Sequence, residues 1–157
     1  MKIVLLTLGK TSEQYLLDGI ERYKNRLKHY VPFEIIEIPN IKKTQKFSKT
    51  ELMRKEGLLI SKHIRSTDYV ILLDDKGKEF SSLQFAQKLQ GWLNSGKKRL
   101  VFVVGGAYGV SDKVCMKASE ICSLSKMTFS HQMLRLIFSE QLYRAFSILK
   151  NEPYHHE

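Results

Sequence analysis

Residues 99–111 read RLVFVVGGAYGVS, and this stretch decides the fold class. Its first part, 99–104, is an apolar run of the kind found in strands that are buried on both faces of a parallel sheet. The run opens into the glycine-rich segment 105–109, whose backbone can adopt positive φ angles and lie directly against a ligand. Ser111 then offers an N-cap for a short helix that reaches about residue 120. The stretch therefore predicts a strand, a tight turn and a helix in immediate succession.

The same alternation of strand and helix extends over the whole chain. Further strands are predicted by apolar runs at 2–8, 33–38, 69–73 and 121–128. Helices are predicted by apolar residues at helical spacing over about 12–30, 48–65, 82–93 and 131–150. Thr11 or Ser12 can cap the first of these helices, and serines precede two of the others. We therefore expect a single α/β domain over 1–157, with a mostly parallel sheet between two layers of helices.

Ligands of such sheets bind beyond the carboxyl ends of the strands. Three predicted loops qualify: the turn DDKGK after Leu73, the glycine turn after Val104, and the loop at 125–130. We expect them to converge on one site, where segment 123–131 (SLSKMTFSH) can wrap an adenine or serve as a plain connection. The glycine turn is neither GxGxxG nor a P-loop, and no acidic residue follows at the spacing of a ribose clamp. A classical doubly wound nucleotide-binding enzyme is thus disfavoured.

The charge of the chain points to a polyanionic partner. The 157 residues carry 26 Lys and Arg against 16 Asp and Glu, a formal net charge of +10. Residues 1–65 contribute +7 (14 bases, 7 acids) and residues 66–157 contribute +3 (12 bases, 9 acids). The most basic stretch is 42–65, so we predict salt-sensitive nucleic-acid contacts there. Its basic residues are Lys42, Lys43, Lys46, Lys49, Arg54, Lys55, Lys62 and Arg65.

Other classes of protein are disfavoured by the sequence. No apolar stretch approaches the ~20 residues that span a bilayer, so we expect no membrane partner. The apolar run 2–8 is interrupted by Gly9 and Lys10, which favours a buried strand over a signal peptide and a cytoplasmic protein. Cys115 and Cys122 match no zinc or redox spacing, so no metal site is predicted.

Functional side chains are concentrated near the C-terminus. The last residues, 151–157, read NEPYHHE, and they combine an aromatic ring that can stack on a base with imidazoles that titrate near neutrality. On the preceding helix, Glu140 and Arg144 have the i, i+4 spacing of an exposed ion pair. Arg135 lies close to the loop at 125–130, where a guanidinium can contact an anion.

Five motifs in this order resemble the ribosomal RNA large subunit methyltransferase H family of the SPOUT superfamily. They are LDDKGK at 73–78, VVGGAYG at 103–109, SLSKMTFSHQMLR at 123–135, EQLYRAFSI at 140–148 and NEPYHHE at 151–157. The resemblance covers essentially the whole chain. It implies a C-terminal trefoil knot that holds S-adenosyl-L-methionine, and a homodimer with its site at the interface. It also implies methylation of N3 of a pseudouridine in large-subunit (23S) ribosomal RNA on the assembled ribosome.

The resemblance also assigns residues by matched position. The cofactor pocket would be formed by Leu73, Gly106, Ser125, Lys126, Met127, Thr128, Phe129 and Ser130. The functional tail would be Tyr154, which orients or stacks on the base, and His155, the general base. Arg135 or His156 would stabilise the anionic ring, although the family usually has Arg or Lys where this chain has His156. The alternative is a non-catalytic ribosome-binding protein that retains the fold.

Overall fold

The computed structural model describes residues 1–41 and 47–156. Its elements alternate as the sequence predicts, and the parallel α/β sandwich is confirmed. In chain order they are β1 (Lys2–Leu8), α1 (Gln14–Leu27), β2 (Phe33–Ile38), α2 (Lys49–His63), β3 (Tyr69–Glu79), α3 (Ser82–Leu93), β4 (Arg99–Val104), α4 (Asp112–Cys115), β5 (Glu120–Ser123) and α5 (His131–Leu149).

The five strands form one sheet in the order β2-β1-β4-β3-β5, and every neighbouring pair is parallel. Strand β1 has β2 on one side and β4 on the other, so the direction of winding reverses between β1 and β4. A reversal of this kind leaves a crevice beyond the carboxyl ends of the two strands. The sheet therefore offers a binding position after Leu8 and Val104.

Both faces of the sheet are covered by helices. The side chains of β1 alternate between two cores: Ile3 and Leu5 pack with α1, α3 and α5, and Val4 and Leu6 pack with α2 and α4. This alternation follows from the two-residue period of a strand. The first core contains several aromatic rings, and those of Phe102 on β4 and Phe138 on α5 lie 4.6 Å apart. Helix α5 is thereby fixed across the sheet.

The boundaries of β3 and β5 differ from the prediction. Strand β3 continues through the expected turn at 74–78 to Glu79, and β5 ends at Ser123 rather than at 128. Beyond Leu73 the register with β5 shifts, and pairing resumes at Lys78. A Cβ at Gly77 would lie 2.6 Å from the Cys122 carbonyl carbon, so the missing side chain permits this close pairing. The sequence does not predict this extension of β3, because its residues are charged and exposed. Backbone pairing with β5, rather than an apolar face, stabilises it.

Helix starts agree with the prediction in part. Ser48 and Ser81 both form capping boxes, with Glu51 and Gln84 as their reciprocal partners. Helix α1, however, begins after Glu13 with no side-chain cap, because the expected cap Thr11 bonds elsewhere. Helix α4 is only four residues long, since the following chain turns into the sheet to form β5.

Candidate functional site

A first cavity of about 230 Å³ lies beyond the carboxyl ends of β3, β4 and β5. Its wall includes residues 74–75 in the irregular part of β3, the glycine turn after Val104 and the loop after Ser123, so the three expected segments converge although the first of them is strand rather than loop. Its lining consists of residues 73–75, 104–107, 109, 123–125, 127–129, 131 and 134. Its lining mixes apolar residues, such as Leu73, Phe129 and Leu134, with polar ones, such as Asp74, Ser125 and His131.

The glycine turn is held by its own backbone. The amide N–H of Gly106 donates to the Gly109 carbonyl (3.2 Å), and that of Gly109 donates to the Gly106 carbonyl (2.9 Å). Gly109 has a φ of +86°, a conformation that L side chains rarely adopt. A Cβ at Gly105 would lie 2.9 Å from the Gly109 carbonyl carbon, which is closer than van der Waals contact allows. The turn therefore needs glycine at both positions.

The loop between β5 and α5 is organised by serine hydroxyls. Ser123 donates to the Ser125 carbonyl (2.8 Å), and the Ser125 hydroxyl accepts from the Met127 amide (2.9 Å). Ser130 caps α5 by accepting from the Met133 amide (3.3 Å). These bonds turn the backbone of 124–129 toward the cavity.

Six of the eight residues assigned to the cofactor pocket line the first cavity: Leu73, Gly106, Ser125, Met127, Thr128 and Phe129. The other two lie elsewhere. Lys126 has an 89% exposed side chain and its ammonium is 4.0 Å from Glu79, while Ser130 lines a different cavity. The structure therefore brings together most of this predicted set.

That second cavity, of about 1130 Å³, was not predicted. It occupies the crevice between β1 and β4, and its wall is formed by the chain after Leu8, the start of α1, one side of α2, the glycine turn and the start of α5. Residues 105–107 and His131 line both cavities, so the two spaces are adjacent. Burial, together with the charge of Arg135, lowers the pKa of His131 and favours its neutral form.

Arg135 lies at the wall of the second cavity with only 1% of its surface exposed. Its terminal nitrogens donate to the Leu8 carbonyl (2.7 Å), the Thr11 hydroxyl (2.7 Å) and the Glu37 carboxylate (2.9 Å). Desolvation lowers the pKa of the guanidinium, and Glu37 opposes that effect. Arg135 therefore connects α5 to the ends of β1 and β2, and its catalytic role stays a prediction.

The C-terminal tail folds back on α5. The Tyr154 hydroxyl bonds with the Tyr23 hydroxyl (3.2 Å) and donates to Glu140 (3.1 Å). The same carboxylate oxygen accepts from Arg144 at 2.6 and 3.0 Å, and Arg144 reaches His155 Nδ1 at 3.3 Å. The Glu140–Arg144 pair was predicted to be a solvated surface pair. It is instead the anchor of the tail, with side chains only 19% and 26% exposed.

The tail packs against the C-terminal half of α5, whereas the cavities are at its N-terminal end. Leu134 lines the first cavity, and the tail-binding residues Glu140 and Arg144 follow it by six and ten residues, which is about 9 Å and about 15 Å along a helix. Among the described residues that line either cavity, neither Tyr154 nor His155 is present. Within one chain the structure therefore does not bring the predicted catalytic tail to the predicted cofactor pocket.

The basic stretch is described from α2 onward, and Lys42, Lys43 and Lys46 lie outside the described residues. Lys49, Arg54, Lys62 and Arg65 are exposed or partly exposed, while the Lys55 ammonium lies 4.5 Å from the centroid of the Phe47 ring. No helix that the structure describes combines the length and apolar character needed to cross a membrane.

A parallel sheet with glycine-lined cavities at its carboxyl edge defines a ligand-binding α/β domain of the nucleotide or cofactor type. A family model described as "Predicted SPOUT methyltransferase" matches residues 1–155. The chain belongs to the SPOUT methyltransferase family, and it is therefore an enzyme that takes a methyl group from a donor.

Relatives of full length share the same name, "Ribosomal RNA large subunit methyltransferase H". The protein of Parabacteroides distasonis is 57% identical over 157 residues, which is 100% of both chains. That of Christiangramia forsetii is 52% identical over 156 residues, or 99% of both chains. That of Phocaeicola vulgatus is 49% identical over 157 residues, again 100% of both chains.

The sequence pattern includes His131 in the segment 123–131 but assigns it no role, and it does not predict the second cavity. His131 directly follows the cap residue Ser130, and that position at the first turn of a helix after a strand-end loop is a usable signal. The cavity had no comparable signal, because its wall comes from separate parts of the chain.

Proposed function

We propose that this protein transfers a methyl group from S-adenosyl-L-methionine to N3 of a pseudouridine in large-subunit (23S) ribosomal RNA. The observation that carries the proposal is the first cavity, where three strand-end loops converge beside a larger cavity that can hold a second reactant. The names of the full-length relatives support ribosomal RNA as the substrate. Work on assembled ribosomes would locate the enzyme in the cytoplasm.

The residues of the first cavity fit this methyl donor. Leu73, Val104 and Leu134 provide apolar surface for an adenine ring, and the loop backbone provides hydrogen-bonding groups for its edge. Asp74 and Asp75 bring carboxylates to the same wall, which suits a positively charged ligand. When bound, the donor supplies a methyl group on a cationic sulfur, which is already activated for displacement. We place the trefoil knot of the SPOUT fold in this region.

The chain must then position the base and remove a proton. N3 of pseudouridine carries an imide hydrogen, so a general base accelerates attack on the methyl group. We assign this role to His155 and assign Tyr154 to stacking on the target base. Arg135 at the wall of the second cavity, or the exposed His156, would stabilise the anionic ring.

The position of the tail leads us to propose that the enzyme acts as a homodimer. In one chain, Tyr154 and His155 are held against the C-terminal half of α5 and line neither cavity. A second copy in a symmetric dimer can present its tail to this site. Each site would then combine the cavities of one protomer with the tail of its partner.

A complementation experiment tests this arrangement. One variant, Gly105→Val, blocks the cofactor cavity, and the other, His155→Ala, disables the tail. The two inactive proteins are mixed, unfolded, refolded together and assayed for methyl transfer. If the tail acts in the partner's site, mixed dimers contain one intact site, and roughly a quarter of wild-type activity returns. If activity stays at the level of the separate variants, the tail does not act across the dimer.

The reaction itself is tested with labelled S-adenosyl-L-methionine and ribosomes that lack the modification. We expect label on N3 of a pseudouridine in ribosomes and none in free large-subunit RNA. If neither label nor cofactor binding is found, the protein is a non-catalytic ribosome-binding protein that retains the fold.

The basic side of α2 is the proposed contact with the ribosome. The side chains of Arg54, Lys62 and Arg65, in and just after this helix, can neutralise phosphates without reading sequence. Replacing them with Gln should weaken ribosome binding and reduce its salt dependence by about one unit of log–log slope for each phosphate that is no longer neutralised. An unchanged slope would exclude this surface from the interface.

A further inference from the structure

Glu56 on α2 has a carboxyl group that neither the fold nor the proposed catalytic residues use. Its side chain lies at the wall of the second cavity, and the residue is only 9% exposed. Its Oε2 atom has no hydrogen-bond partner among the described residues. A Cβ at Gly106 would lie 2.4 Å from this oxygen, so the carboxyl packs against the glycine turn that separates the two cavities.

An unpaired buried carboxyl is costly to the fold. Desolvation raises the pKa of Glu56, and no charge from the described residues offsets it. Glu120, another partly buried acid, differs because its carboxylate accepts hydrogen bonds from Tyr69, Trp92 and Lys88. A buried polar group without a partner requires an explanation, and one explanation is a partner that arrives with a ligand.

The second cavity suits a nucleobase. Tyr15 and Tyr108 line it with side chains on residues that are 59% and 50% exposed, and such rings can stack on a base. Because residues 105–107 and His131 line both cavities, a base in the second cavity would lie next to a donor in the first. The cavity also occupies the crevice between β1 and β4, where sheets of this kind bind ligands.

We propose that the second cavity receives the target base and that the carboxyl of Glu56 accepts the N1–H of pseudouridine. This inference rests on the proposed function and deepens it, because it names the residue that reads the substrate. Pseudouridine is joined to ribose through carbon, so its ring carries an N1–H where uridine carries a C5–H. A carbon-bound hydrogen cannot satisfy a buried carboxylate, and Glu56 therefore rejects uridine.

The expected selectivity is large. A site built to hydrogen-bond one substrate group disfavours an analogue without that group by roughly 10²-fold or more, because the buried protein group stays unpaired. The protonated and ionised forms of a carboxyl both contain an acceptor oxygen, so recognition survives either state.

The test compares methyl transfer to two ribosome preparations, one with pseudouridine and one with uridine at the target position. The full-length wild type is assayed beside Glu56→Met, which has similar length but no acceptor oxygen, and Glu56→Gln, which keeps one. For the Met variant we expect the pseudouridine-to-uridine rate ratio to fall roughly 10²-fold, because methyl transfer to pseudouridine becomes slower. The Gln variant should keep part of the ratio. Glu21→Gln, on the exposed side of α1, should match the wild type.

Other outcomes separate the inference from the function on which it rests. A Met variant with the wild-type ratio, or with equal losses on both substrates, overturns the role of Glu56 and leaves the methyltransferase proposal standing. Absence of transfer by the wild type on either preparation overturns the proposed function, and this inference with it. If the Met variant does not fold, Glu56→Asp replaces it in the test. Its side chain is one methylene shorter, so the carboxyl lies farther from the base, and the same two rates are compared.

Discussion

The two ends of α5 are built in different ways. At its C-terminal end, Glu140, Arg144 and Tyr154 bond to one another, and the Tyr143 and Tyr154 rings are 4.7 Å apart. At its N-terminal end, two cavities, a glycine turn and an unpaired carboxyl surround His131. We call the C-terminal end the closed end, because its polar groups bond within the chain. We call the N-terminal end the open end, because it has cavities and a polar group without a partner among the described residues.

This difference appears in the partners of individual polar groups. At the open end, Glu56 Oε2 has no partner among the described residues, and leaving a buried polar group unpaired costs stability. At the tail, Tyr154 and His155 have internal partners, because a short chain end is frayed unless side chains hold it in place. In the homodimer that we propose, the tail of one protomer and the open end of its partner would form one site.

The largest effect is expected from Gly105→Ala at the open end. The new Cβ would meet the backbone of Gly109, which has no flexible side chain to move aside, so the turn must distort. We expect S-adenosyl-L-methionine binding to weaken roughly a hundredfold, with methyl transfer falling at least as much, as measured by titration calorimetry and label transfer.

The matched control is Gly91→Ala on α3, where a Cβ would meet nothing within 4 Å. This variant should bind the donor normally and gain about 0.5–1 kcal/mol of stability from the better helix former. Equal donor affinities of the two variants would show that the glycine turn tolerates a side chain at position 105.

An intermediate effect is expected from Glu140→Gln at the closed end. The charged acceptor for both Arg144 and Tyr154 is lost, so the tail is held less firmly. Turnover should fall roughly tenfold to a hundredfold while donor affinity stays unchanged. Glu34→Gln, which removes an exposed pair with Lys2, is the control and should leave both quantities alone. Loss of donor binding in Glu140→Gln would contradict the separation of the two ends.

The smallest effect concerns the stability cost of the open end. Burial raises the pKa of Glu56, so its contribution to stability is fully present below the ordinary carboxyl pKa and is lost as the pH rises through the raised value. The wild type therefore carries a penalty at neutral pH that Glu56→Gln avoids. Calorimetric melting should show the variant more stable than the wild type at neutral pH, with the advantage disappearing in acid. A constant difference across that range would mean that Glu56 is not desolvated.

Much of the fold could be predicted because its signals are local. Apolar runs such as 2–8 and 99–104 are typical of buried strands, and the capping boxes at Ser48 and Ser81 mark two helix starts. The convergence of three strand-end loops followed from parallel topology alone. The extension of β3 through 74–79 did not, because only the backbone of β5 and the small size of Gly77 specify it.

The site itself was predicted unevenly. By resemblance, the sequence identified six residues of the first cavity and proposed the tail residues Tyr154 and His155. It treated Glu140 and Arg144 as a surface pair, since i, i+4 spacing says nothing about what folds back over the pair. It gave no sign of the second cavity or of Glu56, which lies in a helix with the composition of a solvated one.

The sequence by itself determined the parallel α/β class, the glycine turn and the basic character, because each depends on residues that are neighbours along the chain or on their sum. Only the tertiary structure decided that Arg135 connects α5 to β1 and β2, that the tail packs against the C-terminal half of α5 and lines neither cavity, and that Glu56 Oε2 has no described partner. These facts depend on distances between residues far apart in sequence, and packing sets such distances.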